Sequence, residues 1–274
     1  MVSIFIQTLN EEQNLPRCLE HLRFSDDIVV LDSISSDGTE QIARKAGARF
    51  YQRPYDGRAS NQNWAVQNIP FKYPWVYQSD ADEVMPADLR EEILSVTWDG
   101  NRPEVMFQVR FKLIFMGRFL RRSSLYPTWV PRLYRPDRIR WERTANPVVV
   151  VNGPQGSLQG HFLHYNFCRG MTEWFDKHNK YSSREAMENV KELSQSGFRW
   201  PDLWATNPVT RRQALKKLSF RVPARPLIKF LYMYGARLGF LDGMPGLHYC
   251  LLQSFYEYQI VLKIKEAQNA ERSF

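Results

Sequence analysis

An α/β fold on a mostly parallel, doubly wound sheet is the architecture predicted for this 274-residue chain. Three observations predict it. Short β-branched runs alternate with amphipathic stretches through the first hundred residues, helix start and stop signals punctuate them, and polar residues gather just after the apolar runs.

Val2–Thr8 reads as the first strand and Asn10–Arg23 as a helix with Leu15, Leu19 and Leu22 on one face. Asp27–Asp32 has the unbroken apolar character of a strand buried on both faces. Asp37, with Glu40 three residues on, predicts a capped helix that stops at Gly47. Ala48–Arg53 is a third strand, Ala59–Ile69 a third helix, Trp75–Ser79 a fourth strand, and Pro86–Val96 a helix with proline at its start. Beyond residue 103 the pattern changes. Val105–Phe115, Val130–Tyr134 and Pro147–Val151 read as strands of a mixed or antiparallel extension, Gly170–Ser194 as a polar helix, and the chain from about Thr210 as helices.

With 43% hydrophobic and 24% charged residues the composition is globular rather than disordered. No uninterrupted apolar run reaches the ~18 residues of a membrane span, and no signal peptide is expected, because Val2–Leu9 is short, lacks a basic leader and runs straight into Asn10-Glu11-Glu12. Three dispersed cysteines suggest neither a disulfide framework nor a zinc site, so a reducing cytoplasm is expected. The net charge of +8 averages two unlike regions: residues 1–100 carry 9 Lys and Arg against 16 Asp and Glu, and the remainder 28 against 13.

Ligands of open α/β sheets bind at the carboxyl ends of the strands. Here those ends carry Thr8, Asn10, Glu11 and Glu12, then Asp32, Ser33 and Asp37, then Asp80 and Asp82. Asp80-Ala81-Asp82 is the sharpest element, because residues i and i+2 of an extended segment point to one side. Such a pair suits Mg²⁺ or Mn²⁺, which also takes diphosphate oxygens; its structural alternative is a cap for the helix at Pro86. Arg118, Arg121 and Arg122 form a basic cluster suited to gripping a phosphate of donor or acceptor, with a solvated loop as the alternative. His161 and His164 stand three apart, as metal ligand or as core histidines.

Between Arg211 and Arg237 lie Arg211, Arg212, Lys216, Lys217, Arg221, Arg225, Lys229 and Arg237, interleaved with apolar residues and with no Asp or Glu. This reads as amphipathic helices on an anionic membrane surface over about 211–241. Leu247, Leu251, Phe255, Tyr258 and Leu262 follow at helical spacing and are expected to pack back on the protein as a core stripe. Nucleic acid is disfavoured as partner, since no recognisable module is present and the acidic strand ends repel a polyanion.

Thr8 to Glu12, Ile28 to Ser33 with Ser36 to Thr39, Gly57 to Asn63, and Asp80 to Glu83 together resemble a family 2 glycosyltransferase of GT-A (Rossmann-like) fold over residues 2–100. Gly117 to Pro127, Arg132-Leu133-Tyr134, Leu163-His164-Tyr165 and Gly239 to Gly243 resemble the branch with lipopolysaccharide-core glucosyltransferases. The resemblance implies an inverting enzyme. It would move a sugar from a nucleotide-diphosphate donor, most often a UDP-sugar, to a lipid-linked or lipopolysaccharide-type glycan, at the cytoplasmic face of the inner membrane.

It further implies that Thr8, Asn10 and Glu12 line the nucleoside pocket and that Asp32 accepts from the uracil N–H. Arg58 and Asn63 would sit near the diphosphate or sugar, Asp80 and Asp82 would hold the ribose and metal, and His164 would complete the metal site. Related chains often carry a His-Glu pair where this one reads Ala145-Asn146, which leaves Glu142 as the preferred general base, with Glu83 as another candidate. Residues 1–100 would then bind the donor, 101–200 the acceptor side, and 201–274 the membrane. The rival classes are a nucleotidyltransferase, disfavoured because no Gly-rich basic loop follows the first strand, and a non-catalytic membrane-bound nucleotide-sugar-binding protein.

Overall fold

The computed structural model describes residues 1–142, 147–195, 200–207, 210, 211, 214, 218 and 224–272. They form two compact units, Met1–Phe119 with Tyr126–Cys168, and Leu120–Leu125 with Arg169–Phe274.

The first unit contains strands β1 (Ser3–Thr8), β2 (Ile28–Asp32), β3 (Arg49–Gln52), β4 (Val76–Asp80), β5 (Glu83–Val84), β6 (Met106–Phe115), β7 (Arg118–Phe119), β8 (Thr128–Tyr134), β9 (Ile139–Glu142), β10 (Val148–Val151) and β11 (Gln155–His164). Its helices are α1 (Leu15–Leu22), α2 (Thr39–Lys45), α3 (Arg58–Asn68) and α4 (Ala87–Trp98). Among the described residues, the main sheet has the order β3-β2-β1-β4-β8-β6-β11-β5, with β7 on β6. The β3-β2-β1-β4 half is parallel, as expected. The later strands are mixed: β8 runs antiparallel to β4 and β6, and β11 parallel to β6.

Alternation along β1 sends Ile4 and Ile6 to one face, against Leu15, Leu19, Leu22, Leu89 and Ile93, and Phe5 to the other, against Ala59, Ala65 and Trp141. Both faces are covered, which is why β2 has no polar side before Asp32. Helix α1 starts later than the sequence predicts. Asn10 takes φ +55° and Glu11 to Asn14 form a turn, while Pro16, which lacks an N–H, fits only a first helical turn. The capping box at α2 does not close either: Asp37 accepts the Thr39 N–H at 3.0 Å, while Glu40 pairs forward with Arg44 at 2.8 Å.

Strand β11 has a bulge between Ser157 and His161. The amides of Gln159 and Gly160 donate to the Glu92 carboxylate of α4 at 2.7 and 2.8 Å. A Cβ on Gly160 would lie 3.0 Å from the Leu89 backbone, so glycine permits this strand to meet α4.

The second unit contains α5 (Gly170–Gln195), α6 (Arg225–Phe230), a π-type turn at Leu231–Ala236, a 3₁₀ turn at Gly239–Asp242, and α7 (Gly243–Arg272). Helices α5 and α7 pack through Ala186, Ile260 and Ile264, with Val190 and Tyr256 alongside. Lys263 Nζ holds the Asn179 carbonyl at 2.7 Å and the Ser182 hydroxyl at 2.8 Å.

Two expectations are corrected here. Of the stripe Leu247, Leu251, Phe255, Tyr258 and Leu262, Leu247 is half-buried and the other four are exposed; α7 buries Cys250, Glu257, Ile260 and Ile264 instead. Arg225 and Lys229 do not present their charges to a membrane, because both converge on buried Glu257, at 2.5 and 2.9 Å. A buried carboxylate needs such partners. Arg211 is exposed and Arg237 half-buried, while Arg212, Lys216, Lys217 and Arg221 lie outside the described residues. Among the described residues, no helix is long and apolar enough to cross a membrane.

His178 in α5 stacks on Trp174 with ring centroids 3.7 Å apart, and burial holds its imidazole below the usual histidine range. Below about pH 6.5 the unfolded chain binds a proton that folded His178 resists, so acidification favours unfolding. The second unit is expected to lose stability as pH falls through that range. His178→Phe should flatten the dependence, measured by thermal melts at stepped pH.

Candidate active site

The loop after β1 is woven into the loop after β2. Thr8 Oγ1 donates to Asp32 Oδ1 at 2.8 Å, and the Asn10 side chain accepts the Ser36 N–H at 2.8 Å. Glu12 Oε2 accepts the Gly38 N–H at 2.8 Å. Asp37 accepts the Glu12 amide, the Thr39 amide and the Thr39 hydroxyl; burial would push Asp37 up, but these donors hold it below the usual carboxylate range. Asp32 is fully buried. Its oxygens also accept the Ser35 amide at 2.7 Å and hydroxyl at 2.5 Å, and the Gln52 amide at 3.4 Å. Thr8, Asn10, Glu12 and Asp32 are therefore brought together as predicted, with Asp32 serving as the hub of the loop rather than a side chain standing free for a base.

The acidic turn after β4 follows the predicted alternation. Asp80 and Asp82 are half-buried on the open side, and Ala81 and Glu83 are buried. A closed ring of polar contacts fixes the turn. The Asp80 amide donates to Glu83 Oε2 at 3.2 Å, Arg132 Nη2 donates to Glu83 Oε1, and the same nitrogen donates to Asp80 Oδ2 at 2.9 Å. Arg58, at the start of α3, adds a longer contact of 3.4 Å to Asp80 Oδ2.

Burial alone would raise Asp80, but Arg132, Arg58 and His164 outweigh it and hold that carboxyl well below the usual range. Glu83 is 2% exposed, and burial, with Asp80 adding, pushes it up to about 7 even beside Arg132. Arg132 is itself buried on β8, its guanidinium carbon 5.1 Å from the centre of the Phe162 ring.

Strand β11 brings the last member. His164 pairs with Glu83 across the antiparallel β11–β5 ladder, and the Tyr165 amide donates to the Asp82 carbonyl at 2.9 Å. This sets His164 Nε2 3.4 Å from Asp82 Oδ2. Burial works against a charged imidazole there, yet Asp82, Glu83 and Asp80 hold His164 above its ordinary value. Residues three apart in a strand face opposite ways, so His161 takes no part.

Three expectations change. Asp80 is not free as a metal ligand on its arginine-held side, and among the described residues no three His, Cys, Asp or Glu side chains are grouped to hold a metal. Asp82 and His164 form half a set; they fit a hard cation that arrives with diphosphate oxygens. Asn63 is bound to β9 at both ends of its amide: Nδ2 donates to the Trp141 carbonyl and Oδ1 accepts the Trp141 N–H, each at 2.8 Å.

Glu142 lies on the separate β9–β10 hairpin, exposed and paired with Arg140 at 2.9 Å. Ile139 and Trp141 face the core, so alternation turns Arg140 and Glu142 outward, where the Glu142 carboxylate accepts from the Arg140 guanidinium. Glu142→Gln is accordingly expected to leave turnover within about twofold of the parent in a steady-state transfer assay. Arg118, Arg121 and Arg122 are exposed; the backbone amides of the last two are held by Asp242, at 3.2 and 2.9 Å.

Arg132 was missed as a site residue. A lone arginine within Val130-Pro131-Arg132-Leu133-Tyr134, a strand that reads as buried, implies a buried carboxylate partner.

The model of "Glycosyl transferase family 2" matches residues 3–153. The lipopolysaccharide core biosynthesis glycosyltransferase LpsC of Rhizobium meliloti is 29% identical over 273 residues, covering 94% of this chain and 92% of LpsC. An uncharacterized glycosyltransferase of Rickettsia typhi is 24% identical over 284 residues, 99% of this chain and 89% of that protein. Among solved structures, the mannosyltransferase PcManGT from Pyrobaculum calidifontis, in complex with GDP-Man and Mn²⁺, aligns with a TM-score of 0.49 at 16% identity, over 96% of this chain and 86% of that one. The family match spans more than half of the sequence, including the woven β1–β2 loops, the acidic turn and Arg132, and on it this chain belongs to glycosyl transferase family 2 and is a glycosyltransferase.

Proposed function

We propose that the protein transfers one sugar from a UDP-sugar to a lipid-linked or lipopolysaccharide-type glycan, with inversion by direct displacement, at the cytoplasmic face of the membrane that carries the acceptor. The observation that carries the donor half is the open Asp82–His164 pair beside an Asp80 fixed by Arg132 and Arg58. The acceptor class is supported by the likeness to LpsC.

Residues 1–100 supply the donor side and 101–200 the acceptor side. The β1–β2 loops receive the nucleoside, Arg58 faces the diphosphate, and Asp82 with His164 would hold Mg²⁺ or Mn²⁺. When bound, the cation neutralises charge on the departing diphosphate. Asp80 keeps its charge through its guanidinium partners and offers its second oxygen to a ribose hydroxyl.

A half-set of ligands makes the test specific. Mn²⁺ alone is expected to leave the melting temperature unchanged, UDP alone to raise it slightly, and both together to raise it by several degrees, since ligand binding stabilises by mass action. A panel of UDP-, GDP-, dTDP- and ADP-sugars with Mn²⁺ then identifies the donor. No shift with any of them would overturn the donor reading.

A further inference from the structure

In the second unit a rigidly built turn displays apolar side chains to solvent. The turn runs from Leu238, at φ +60°, to Gly243. Its Asp242 points inward, 4% exposed, and its carboxylate accepts the amides of Arg121, Arg122 and Ser123 at 3.2, 2.9 and 2.8 Å and the Ser123 hydroxyl at 2.7 Å. A Cβ on Gly239 would lie 2.5 Å from the Met233 carbonyl oxygen, and one on Gly246 2.5 Å from the Gly239 carbonyl oxygen. Backbone packs on backbone, so neither position accepts a side chain without displacing the turn.

What this construction holds outward is Leu238, Phe240, Leu241 and Met244, each 40–60% exposed. Met244 opens the exposed stripe of α7, continued by Leu251, Phe255, Tyr258 and Leu262, 44–49% exposed. The intervals of 7, 4, 3 and 4 residues from Met244 keep these side chains on one helical face, over a length of about 27 Å at 1.5 Å per residue.

Charge selects what covers this face. The second unit carries 19 Lys and Arg against 10 Asp and Glu. Arg121 and Arg122, tied to the turn through Asp242, are exposed. A second copy would set like charges against each other, whereas an anionic bilayer receives both the apolar stripe and the exposed Arg121 and Arg122.

We infer that the Leu238–Met244 turn and the exposed face of α7 seat in the interfacial layer of an anionic phospholipid membrane, with Arg121 and Arg122 at the headgroups. The contact is apolar insertion by the turn that ends the expected 211–241 membrane segment, continued along α7, rather than adhesion by the basic residues before it. It rests on no assumption about the reaction.

The test is flotation of the full chain with vesicles of phosphatidylcholine, alone or with phosphatidylglycerol added. The parent is expected to float with the anionic vesicles and to stay partly bound in high salt. Phe240→Ser with Met244→Ser, and Leu251→Ser with Leu262→Ser, should each lower partitioning roughly tenfold or more while far-UV circular dichroism and melting match the parent. Arg121→Gln with Arg122→Gln should weaken binding about tenfold at low salt and little at high salt. The inference is overturned if the parent does not float, or if neither apolar pair changes flotation. It is also overturned if sedimentation shows a dimer that those pairs dissociate, which would assign the face to a second copy. Each readout is independent of sugar transfer, so failure here leaves the donor reading standing.

Discussion

Asp82→Asn is expected to lower transfer by roughly 10²–10³-fold while leaving the fold intact, in line with the loss of one preorganised electrostatic contact in an active site. The side chain is half-buried and its carboxylate meets His164 Nε2 at 3.4 Å. An amide keeps the size and the turn but removes the charge that a cation and its diphosphate would meet. Stability should therefore change by about 1 kcal/mol or less. Calorimetry supplies a second readout: UDP should still bind, and the increment added by Mn²⁺ should disappear. If the variant retains full turnover and full Mn²⁺ dependence, the cation is held elsewhere and the assignment of Asp82 and His164 is wrong.

The acidic turn was legible because a strand has a fixed period. Once Trp75–Ser79 reads as a buried strand, alternation predicts half-buried Asp80 and Asp82 about a buried Ala81, and that burial pattern holds even though the strand ends at Asp80 and Ala81-Asp82 turn. The same rule applied to β9 turns Glu142 away, since Ile139 and Trp141 are the core-facing pair of that strand. What spacing does not give is which side of a helix is covered. Leu251, Phe255, Tyr258 and Leu262 share a face as the sequence indicates, but the buried face of α7 contains Glu257, which a hydropathy pattern rejects. Glu257 is tolerated there because Arg225 and Lys229 reach it from α6, a pairing across some thirty residues that no local pattern encodes. His164 met Asp82 by a similar long-range route, through the short β5–β11 ladder. Asn63 illustrates the remaining ambiguity: an amide in mid-helix near strand ends reads equally as a ligand contact or as a splice to a neighbouring strand, and here it is the splice.

Arg132→Met should cost about 3–5 kcal/mol of stability in the first unit, the range seen when one partner of a buried ion pair is removed. Arg132 and Glu83 are both at most 5% exposed, and Arg132 Nη2 serves Glu83 and Asp80 at once. Methionine keeps contact with Phe162 but leaves two carboxylates facing each other with Arg58 as the remaining, longer cation contact. Denaturant titration should show the loss as a lower midpoint with an unchanged slope.

Adding Glu83→Gln to Arg132→Met should recover part of it, because the amide can still accept the Asp80 N–H and no uncompensated buried charge remains at position 83. The double variant should thus be less destabilised than the sum of the singles, the signature of residues acting as one unit. Glu83→Gln alone separates a positioning role from that of a general base. A base replaced by an amide loses turnover at unchanged donor KM. A ring member so replaced loosens the turn, and its donor KM should rise more than its kcat falls. Glu83 is 2% exposed and held by Arg132 and the Asp80 amide, so the second outcome is the one expected.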